Sequence, residues 1–197
     1  MGKLKKLFLG ANPEGCFEKR NMDFPGNREY NGHNCLKGES EMVYFAEYPS
    51  PVGVLLLTTD GSGLTGIYMD REPPEGAQEN CCHVVLAGAA SWLDGYFRGE
   101  PQPVSIPLKP GGTPFQRKVW KLLEGIPYGS TVTYGKLARQ LGKTMSAQAV
   151  GGAVGRNPIC ILVPCHRVVG ADGKLTGYAY GLERKKWLLE HEKGRER

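Results

Sequence analysis

Two segments decide the architecture: Thr133-Tyr134-Gly135-Lys136-Leu137-Ala138-Arg139-Gln140-Leu141-Gly142 and, after a short gap, Ser146-Ala147-Gln148-Ala149-Val150-Gly151-Gly152-Ala153-Val154-Gly155. Thr133 can cap a helix from Tyr134 to Leu141 that Gly142 closes, and Ser146 can cap another from Ala147 to Gly155. Two short helices joined by a tight turn in a basic part of the chain read as a helix-turn-helix. The second helix has few side chains able to read base edges. Its alanines and glycines let the backbone approach a surface, either the sugar-phosphate wall of a minor groove or a tightly packed neighbouring helix.

Downstream, Ile159-Cys160-Ile161-Leu162-Val163 is an apolar run that reads as a buried strand stopped by Pro164. Cys165, His166 and Arg167 follow at its end. A single cysteine defaults to a small buried hydrophobe. Cys165 differs in its neighbours: His166 can take or share the thiol proton, directly or through a water, and Arg167 adds positive potential, so both favour the thiolate. An unperturbed thiol, with a pKa of about 8.5, is only a few per cent ionised at neutral pH. Lowering that value by about three units would raise the thiolate roughly 30-fold and cost about 20-fold in intrinsic nucleophilicity. Most of the advantage must therefore come from a substrate held in line and from help to the leaving group.

The last helix runs through Leu182, Trp187, Leu188 and Leu189. Glu192 falls on the inward face of Leu188 and Leu189, where a carboxylate needs a partner, and His166 is the candidate. A Cys-water-His-Glu chain would be a thiol version of the nucleophile, base and orienter arrangement.

Towards the N-terminus, Thr113-Pro114 opens a helix with Phe115, Val119, Leu122, Leu123 and Ile126 on one face. The proline-rich segment from Pro101 to Pro110, with Gly111-Gly112, reads as a passage between domains. Residues 43–48, 52–58 and 64–68 alternate with turn residues as an antiparallel meander, and Val85, Ala89, Trp92, Leu93 and Tyr96 mark a covering helix. The fold class is an α/β N-terminal domain over residues 42–107 and a mostly α C-terminal domain over 108–197. Residues 1–41 show no sustained period and are expected to be a poorly ordered extension. Met42 is an alternative start, because Lys37-Gly38-Glu39 can be encoded by a ribosome-binding sequence.

A chain of 197 residues, 40% hydrophobic, suffices for one large or two small domains. No run is long and apolar enough to cross a bilayer, and the start is too short in apolar residues for a secretion signal, so a cytoplasmic protein without a membrane partner is expected. The six cysteines form no CxxC pair and read as reduced thiols. Cys16, His33, Cys35 and His83 could supply four zinc ligands, but their spacing matches no compact zinc pattern, and no metal or other cofactor is assigned. Net charge is +5, with 15 Lys and Arg against 6 Asp and Glu over residues 113–197 and 10 against 14 over residues 1–112. The basic half, which also holds Cys165, is suited to a polyanion such as nucleic acid.

Six blocks in order resemble the O6-alkylguanine-DNA alkyltransferases, also called methylated-DNA–protein-cysteine methyltransferases. They are Thr113-Pro114-Phe115-Gln116-Arg117, Val132-Thr133-Tyr134-Gly135-Lys136-Leu137-Ala138, Ala149-Val150-Gly151-Gly152-Ala153, Asn157-Pro158, Val163-Pro164-Cys165-His166-Arg167-Val168-Val169 and Trp187-Leu188-Leu189-Glu190-His191-Glu192. The resemblance implies a ribonuclease H-like N-terminal domain and a monomer that needs no cofactor. It implies repair of duplex DNA containing O6-alkylguanine, with O4-methylthymine as a second lesion, by a single-turnover transfer of the alkyl group to the protein's own cysteine. By the same resemblance Cys165 would be the acceptor, His166 the base acting through water, and Glu192 its orienter. Asn157 would brace the turn, and Tyr134 would assist base flipping and donate a hydrogen bond to the guanine. Tyr178 and backbone groups near Val168 would meet the flipped base; Ala147, Gln148, Ala149, Gly151 and Arg167 complete the expected DNA- and base-binding set.

Three residues depart from the family pattern. Gln148 stands where many members place an arginine, which implies weaker DNA affinity. Tyr180 replaces a small residue at the pocket mouth and Cys160 a proline, which implies a narrower pocket. Competing readings are an alkylated-DNA-binding module, against which Cys165 speaks directly, an alkylation sensor, and a thiol acyl-transfer enzyme, which would leave the basic helix pair unused.

Overall fold

The computed structural model describes residues 42–100, 102–142 and 145–194. The extension over 1–41, with Cys16, His33 and Cys35, lies outside the described residues. Strands β1 (Tyr44–Ser50), β2 (Gly53–Thr59) and β3 (Leu64–Met69) form the antiparallel meander. A two-residue strand, β4 (Gln78–Glu79), joins parallel to β1 and gives the order β3-β2-β1-β4. Asp60 builds the β2–β3 reversal: its Oδ1 accepts from the Ser62 and Gly63 amides at 2.9 Å while Gly61 takes a φ of 89°.

Helix α1 (Val84–Phe97) covers the sheet with Leu86, Ala89, Leu93 and Tyr96 buried. Truncating a residue such as Leu93 to alanine would cost about 2–5 kcal/mol. The helix starts on His83, whose Nδ1 accepts from the Val85 amide at 3.2 Å and whose ring stacks on Tyr44. His83, the fourth zinc candidate, is thus employed as a helix cap. Among the described residues no three His, Cys, Asp or Glu side chains converge as metal ligands, and no helix is long and apolar enough to cross a membrane. Cys160 and Cys165 are free thiols; the exposed Cys82 is disulfide-bonded, so the reading of reduced thiols fails there.

The C-terminal helical domain contains α2 (Pro114–Glu124), α3 (Tyr134–Leu141), α4 (Ala147–Gly155) and α5 (Leu182–Lys193). Each of the first three begins on its hydroxyl cap: Thr113 in a capping box with Gln116, Thr133 accepting from Lys136, and Ser146 accepting from Ala149. Val150, Ala153 and Val154 turn one face of α4 into the core, and Trp120 donates to the Ala153 carbonyl at 2.9 Å to lock α2 against it. Ala147, Gln148, Ala149, Gly152 and Gly155 stay exposed. The small-residue helix therefore does both things its composition allows, packing on one face and leaving the other open.

Segments outside the meander close the edge of β3. Leu64 pairs with Pro107 and Lys109, and Ile67 with Pro158 and Cys160, through backbone hydrogen bonds of 2.8–3.2 Å. The proline-rich passage is therefore a strap on the sheet edge, and the segment leading to Cys165 is anchored to the sheet.

Residues 159–163 differ from the strand expected there. Only Ile159 makes a bridge, to Ile67; the chain then turns, with Ile161 at a φ of 69°. The Asn157 side chain holds this turn by donating to the carbonyls of Val163 (2.7 Å) and Ile159 (3.3 Å) and accepting from the Ile159 amide (3.1 Å). The apolar run reported burial, which the turn satisfies without extending; a β-branched residue in the left-handed region shows that surrounding bonds overrule local preference.

Candidate functional site

Residues Cys165–Arg167 form a single 3-10 turn, after which β6 (Val168–Val169) pairs in parallel with β5 (Val132–Thr133). That pairing sets Val168 beside the start of α3 and so beside Tyr134. Helix α5 passes behind the turn and inserts Glu192, only 2% exposed.

Glu192 is the most heavily bonded side chain in the site. Its Oε1 accepts from His166 Nε2 (2.7 Å), Tyr96 Oη (2.8 Å) and Arg167 Nη2 (3.0 Å), and its Oε2 from Arg167 Nε (2.8 Å) and the Gly129 amide (3.0 Å). Burial would raise this carboxyl, but the bonds from His166 and Arg167 outweigh it and hold the group at about 2. A carboxylate only accepts, which puts the proton of the neutral imidazole on Nε2 and leaves Nδ1 as a lone pair. Nδ1 is buried and has no hydrogen-bond partner among the described residues. Burial lowers the His166 pKa further than Glu192 raises it, so the ring is neutral at physiological pH and able to accept a proton.

Cys165 is 5% exposed, and burial raises its thiol pKa; a hydrogen bond with Asn157 and the charge of Lys185 act in the opposite direction. The expectation that Arg167 would favour the thiolate and contact DNA is corrected. Its guanidinium is buried, bonded to Glu192 and, at 2.6 Å, to the Ile126 carbonyl, because the inward carboxylate requires a fixed counter-charge. The cation that acts on the thiol is Lys185, fully buried, whose Nζ donates to the carbonyls of Val168 and Thr176 at 2.6 Å and of Gly177 at 3.3 Å. Burial draws its ammonium down to about 8, while the three carbonyls favour the charged form.

An open cavity of about 420 Å³ lies between α4 and the loop before α5, lined by Tyr134, Ala147, Gly151, Gly155, Gly177 and Tyr178 among others. Tyr134 Oη donates to the Gly177 carbonyl at 3.0 Å, and Gly177 has a φ of 52° where a Cβ would lie 3.2 Å from that hydroxyl. Tyr178 Oη is buried without a partner among the described residues. The Cys165 sulfur lies within electrostatic reach of both rings and raises both phenol pKa values, after burial. Cys160 is fully buried against β3, and Tyr180 packs edge-on to Tyr178 with ring centroids 5.6 Å apart.

Residues 43–110 match the family described as 6-O-methylguanine DNA methyltransferase, ribonuclease-like domain, and residues 114–194 match its DNA-binding domain. The chain belongs to the 6-O-methylguanine DNA methyltransferase family. It is 44% identical over 155 residues to the methylated-DNA–protein-cysteine methyltransferase of Methanosarcina acetivorans, covering 76% of this chain and 98% of that protein. It is 46% identical over 156 residues to the Mycobacterium tuberculosis protein of the same name, covering 78% and 94%. The crystal structure of the Mycobacterium tuberculosis O6-methylguanine methyltransferase superposes with a TM-score of 0.71 at 45% identity, covering 79% of this chain and 96% of that one. A structure of the same protein in complex with DNA also scores 0.71, covering 77% and 94%. The sheet domain and the helical domain of this family member both follow these structures.

The site thus brings together Cys165, His166, Glu192 and Asn157, with Tyr134, Tyr178, Ala147 and Gly151 around the adjoining cavity and Val168 behind them. Gln148 and Ala149 sit on the open face of α4. Two members of the site were missed. Lys185 stands seven residues before Glu192 on the same helical face, so the spacing that turns Glu192 inward also turns Lys185 inward; its position within Arg184-Lys185-Lys186 disguised it as a solvated charge run. Tyr96 is expected only as one of the residues marking the covering helix, and the hydroxyl that a buried tyrosine must place is the available signal.

Proposed function

We propose that this protein repairs duplex DNA by moving the alkyl group of O6-alkylguanine, a methyl group above all, onto Cys165 in one irreversible turnover. The observation that carries the reading is the fixed Glu192–His166 pair, whose free, buried Nδ1 lone pair belongs to the residue next to the thiol. In the reaction the thiol proton goes to His166 Nδ1, directly or through a water, and the sulfur attacks the alkyl carbon opposite O6. A carbon-sulfur bond forms as the carbon-oxygen bond breaks, and the electron pair remains on the purine, which leaves as guanine after taking a proton. A thiol pKa raised by burial makes a standing thiolate scarce, so proton removal belongs with attack and the positioned substrate supplies most of the acceleration.

Duplex DNA is the partner, with α3 and α4 as the helix-turn-helix and the open face of α4 against the minor groove. Supporting this placement, the caps at Thr133 and Ser146 define the two helices and small residues leave the backbone of α4 accessible. The lesion base would be flipped into the cavity beside Tyr134 and Tyr178, where Tyr134 exchanges the Gly177 carbonyl for the guanine ring. O4-methylthymine is the second lesion of the same chemistry.

The test uses duplex DNA carrying O6-methylguanine labelled in the methyl group. One label per protein, mapped to the Cys165 peptide, is the expected result. Label on another residue, no retained label, or release of label with repeated turnover would overturn the proposal.

A further inference from the structure

We propose that Tyr96, supplied by the sheet domain, is a positioning residue for alkyl transfer: its hydroxyl fixes Glu192 behind His166 and moderates that carboxylate's pull on the imidazole. The inference rests on the alkyl-transfer reading above. Tyr96 is fully buried on α1, and its Oη donates to Glu192 Oε1 at 2.8 Å, the same oxygen that receives the His166 proton at 2.7 Å. Its ring stands edge-on to Tyr128 at 5.8 Å and to His166 at 6.5 Å, so packing aims the hydroxyl.

Glu192 accepts five hydrogen bonds, two from Arg167 and one each from Tyr96, His166 and the Gly129 amide. A carboxylate offers about four lone-pair directions, so the site is oversubscribed. Removing the Tyr96 donor therefore leaves no unsatisfied acceptor. It returns negative charge to the oxygen facing His166, which favours the imidazolium and leaves a smaller share of the ring with a free Nδ1 lone pair as pH falls.

The other charged or titratable groups around the pair are Tyr128 after α2, Cys165 and Arg167 on the 3-10 turn, and Lys185 and His191 on α5. His191 is engaged with the Tyr96 carbonyl at 2.8 Å and stacks on Trp187, while Arg167 and Lys185 each lower the His166 pKa through their charge. Tyr96 is the neutral hydroxyl among the Glu192 donors, so it can be removed without changing the net charge of the site.

Tyr96→Phe keeps the ring and deletes the hydrogen bond. Two quantities are followed in the full chain: the His166 midpoint by NMR of isotope-labelled histidine, and the pH dependence of transfer from O6-methylguanine duplex. Both midpoints are expected to rise together by about one unit, so that transfer slows several-fold near pH 6 and is unchanged near pH 8.5. An equal loss at every pH with an unmoved His166 midpoint would show that Tyr96 only packs, and would overturn the proposal. Should the phenylalanine variant fold poorly, 3-fluorotyrosine at residue 96 has nearly the same shape and donates more strongly; both midpoints must then fall, and no movement overturns the inference. The NMR midpoint needs no DNA, so a parent protein that retained no label on Cys165 would refute the alkyl-transfer reading separately.

Discussion

The two sides of the His166 ring are built in opposite ways. On the Nε2 side both oxygens of Glu192, carried by α5, are bonded, and the donors come from α1, the turn after α2 and the 3-10 turn. On the Nδ1 side, and around the neighbouring cavity, the His166 lone pair and the Tyr178 hydroxyl have no partner among the described residues, and α4 is left exposed. Buried polar atoms without partners are uncommon, and their concentration on one side marks where an incoming molecule completes the bonding. The closed side fixes the orientation of the ring, and the open side is the one that the proposed transfer would use.

Breaking the closed side has the largest effect. Glu192→Gln leaves the buried Arg167 guanidinium without a counter-charge and should destabilise the fold by about 3–5 kcal/mol in chemical denaturation, besides moving the His166-dependent limb of transfer to lower pH. The sign of the linked pH dependence follows from the depressed carboxyl. Its stabilisation is present above the ordinary glutamate value of about 4.3 and is lost as pH falls towards about 2, so acid-unfolding curves of parent and variant should converge over that window. His166 adds a weaker trend of the same sign, because its lowered pKa makes stability fall as pH drops below about 6.5.

Lys185 joins the two sides, and Lys185→Met sharpens the comparison. Iodoacetamide labelling of Cys165 in the absence of DNA should have a midpoint above the ordinary thiol value of about 8.5, and the variant should move it higher still. The unpaired carbonyls of Val168 and Thr176 should cost about 1–3 kcal/mol each. A midpoint unchanged in the variant would deny Lys185 its influence on the thiol.

On the open side the effects are on selectivity. Tyr180→Gly should speed transfer from a benzylated guanine base by about tenfold relative to methylated DNA; a parent that already accepts both equally would refute a narrow pocket. Gln148→Arg should tighten binding to unmodified duplex a few-fold and steepen its salt dependence by about one ion, and equal affinity would count against Gln148 entering the DNA stack.

The closed and open sides were unequally legible in the sequence. The meander, α1, the capped helices and the inward placement of Glu192 follow from spacing and caps, which report local geometry and one-sided burial. The turn at 159–163 was not legible, because its conformation is imposed by the Asn157 amide and by pairing with Ile67, distant in sequence. Arg167 misled for a related reason: its charge suited both DNA and a buried carboxylate, and only the fold places Glu192 within reach. Two-residue strands such as β4 leave no periodic trace at all.

The pairing of Ile67 with Pro158 and Cys160 has a consequence for anyone who would dissect the molecule. Severing the chain near residue 112 would leave one fragment with a bare sheet margin at Ile67, inviting self-association, and the other without the moorings that shape the loop ahead of its thiol. Neither half is a spare part.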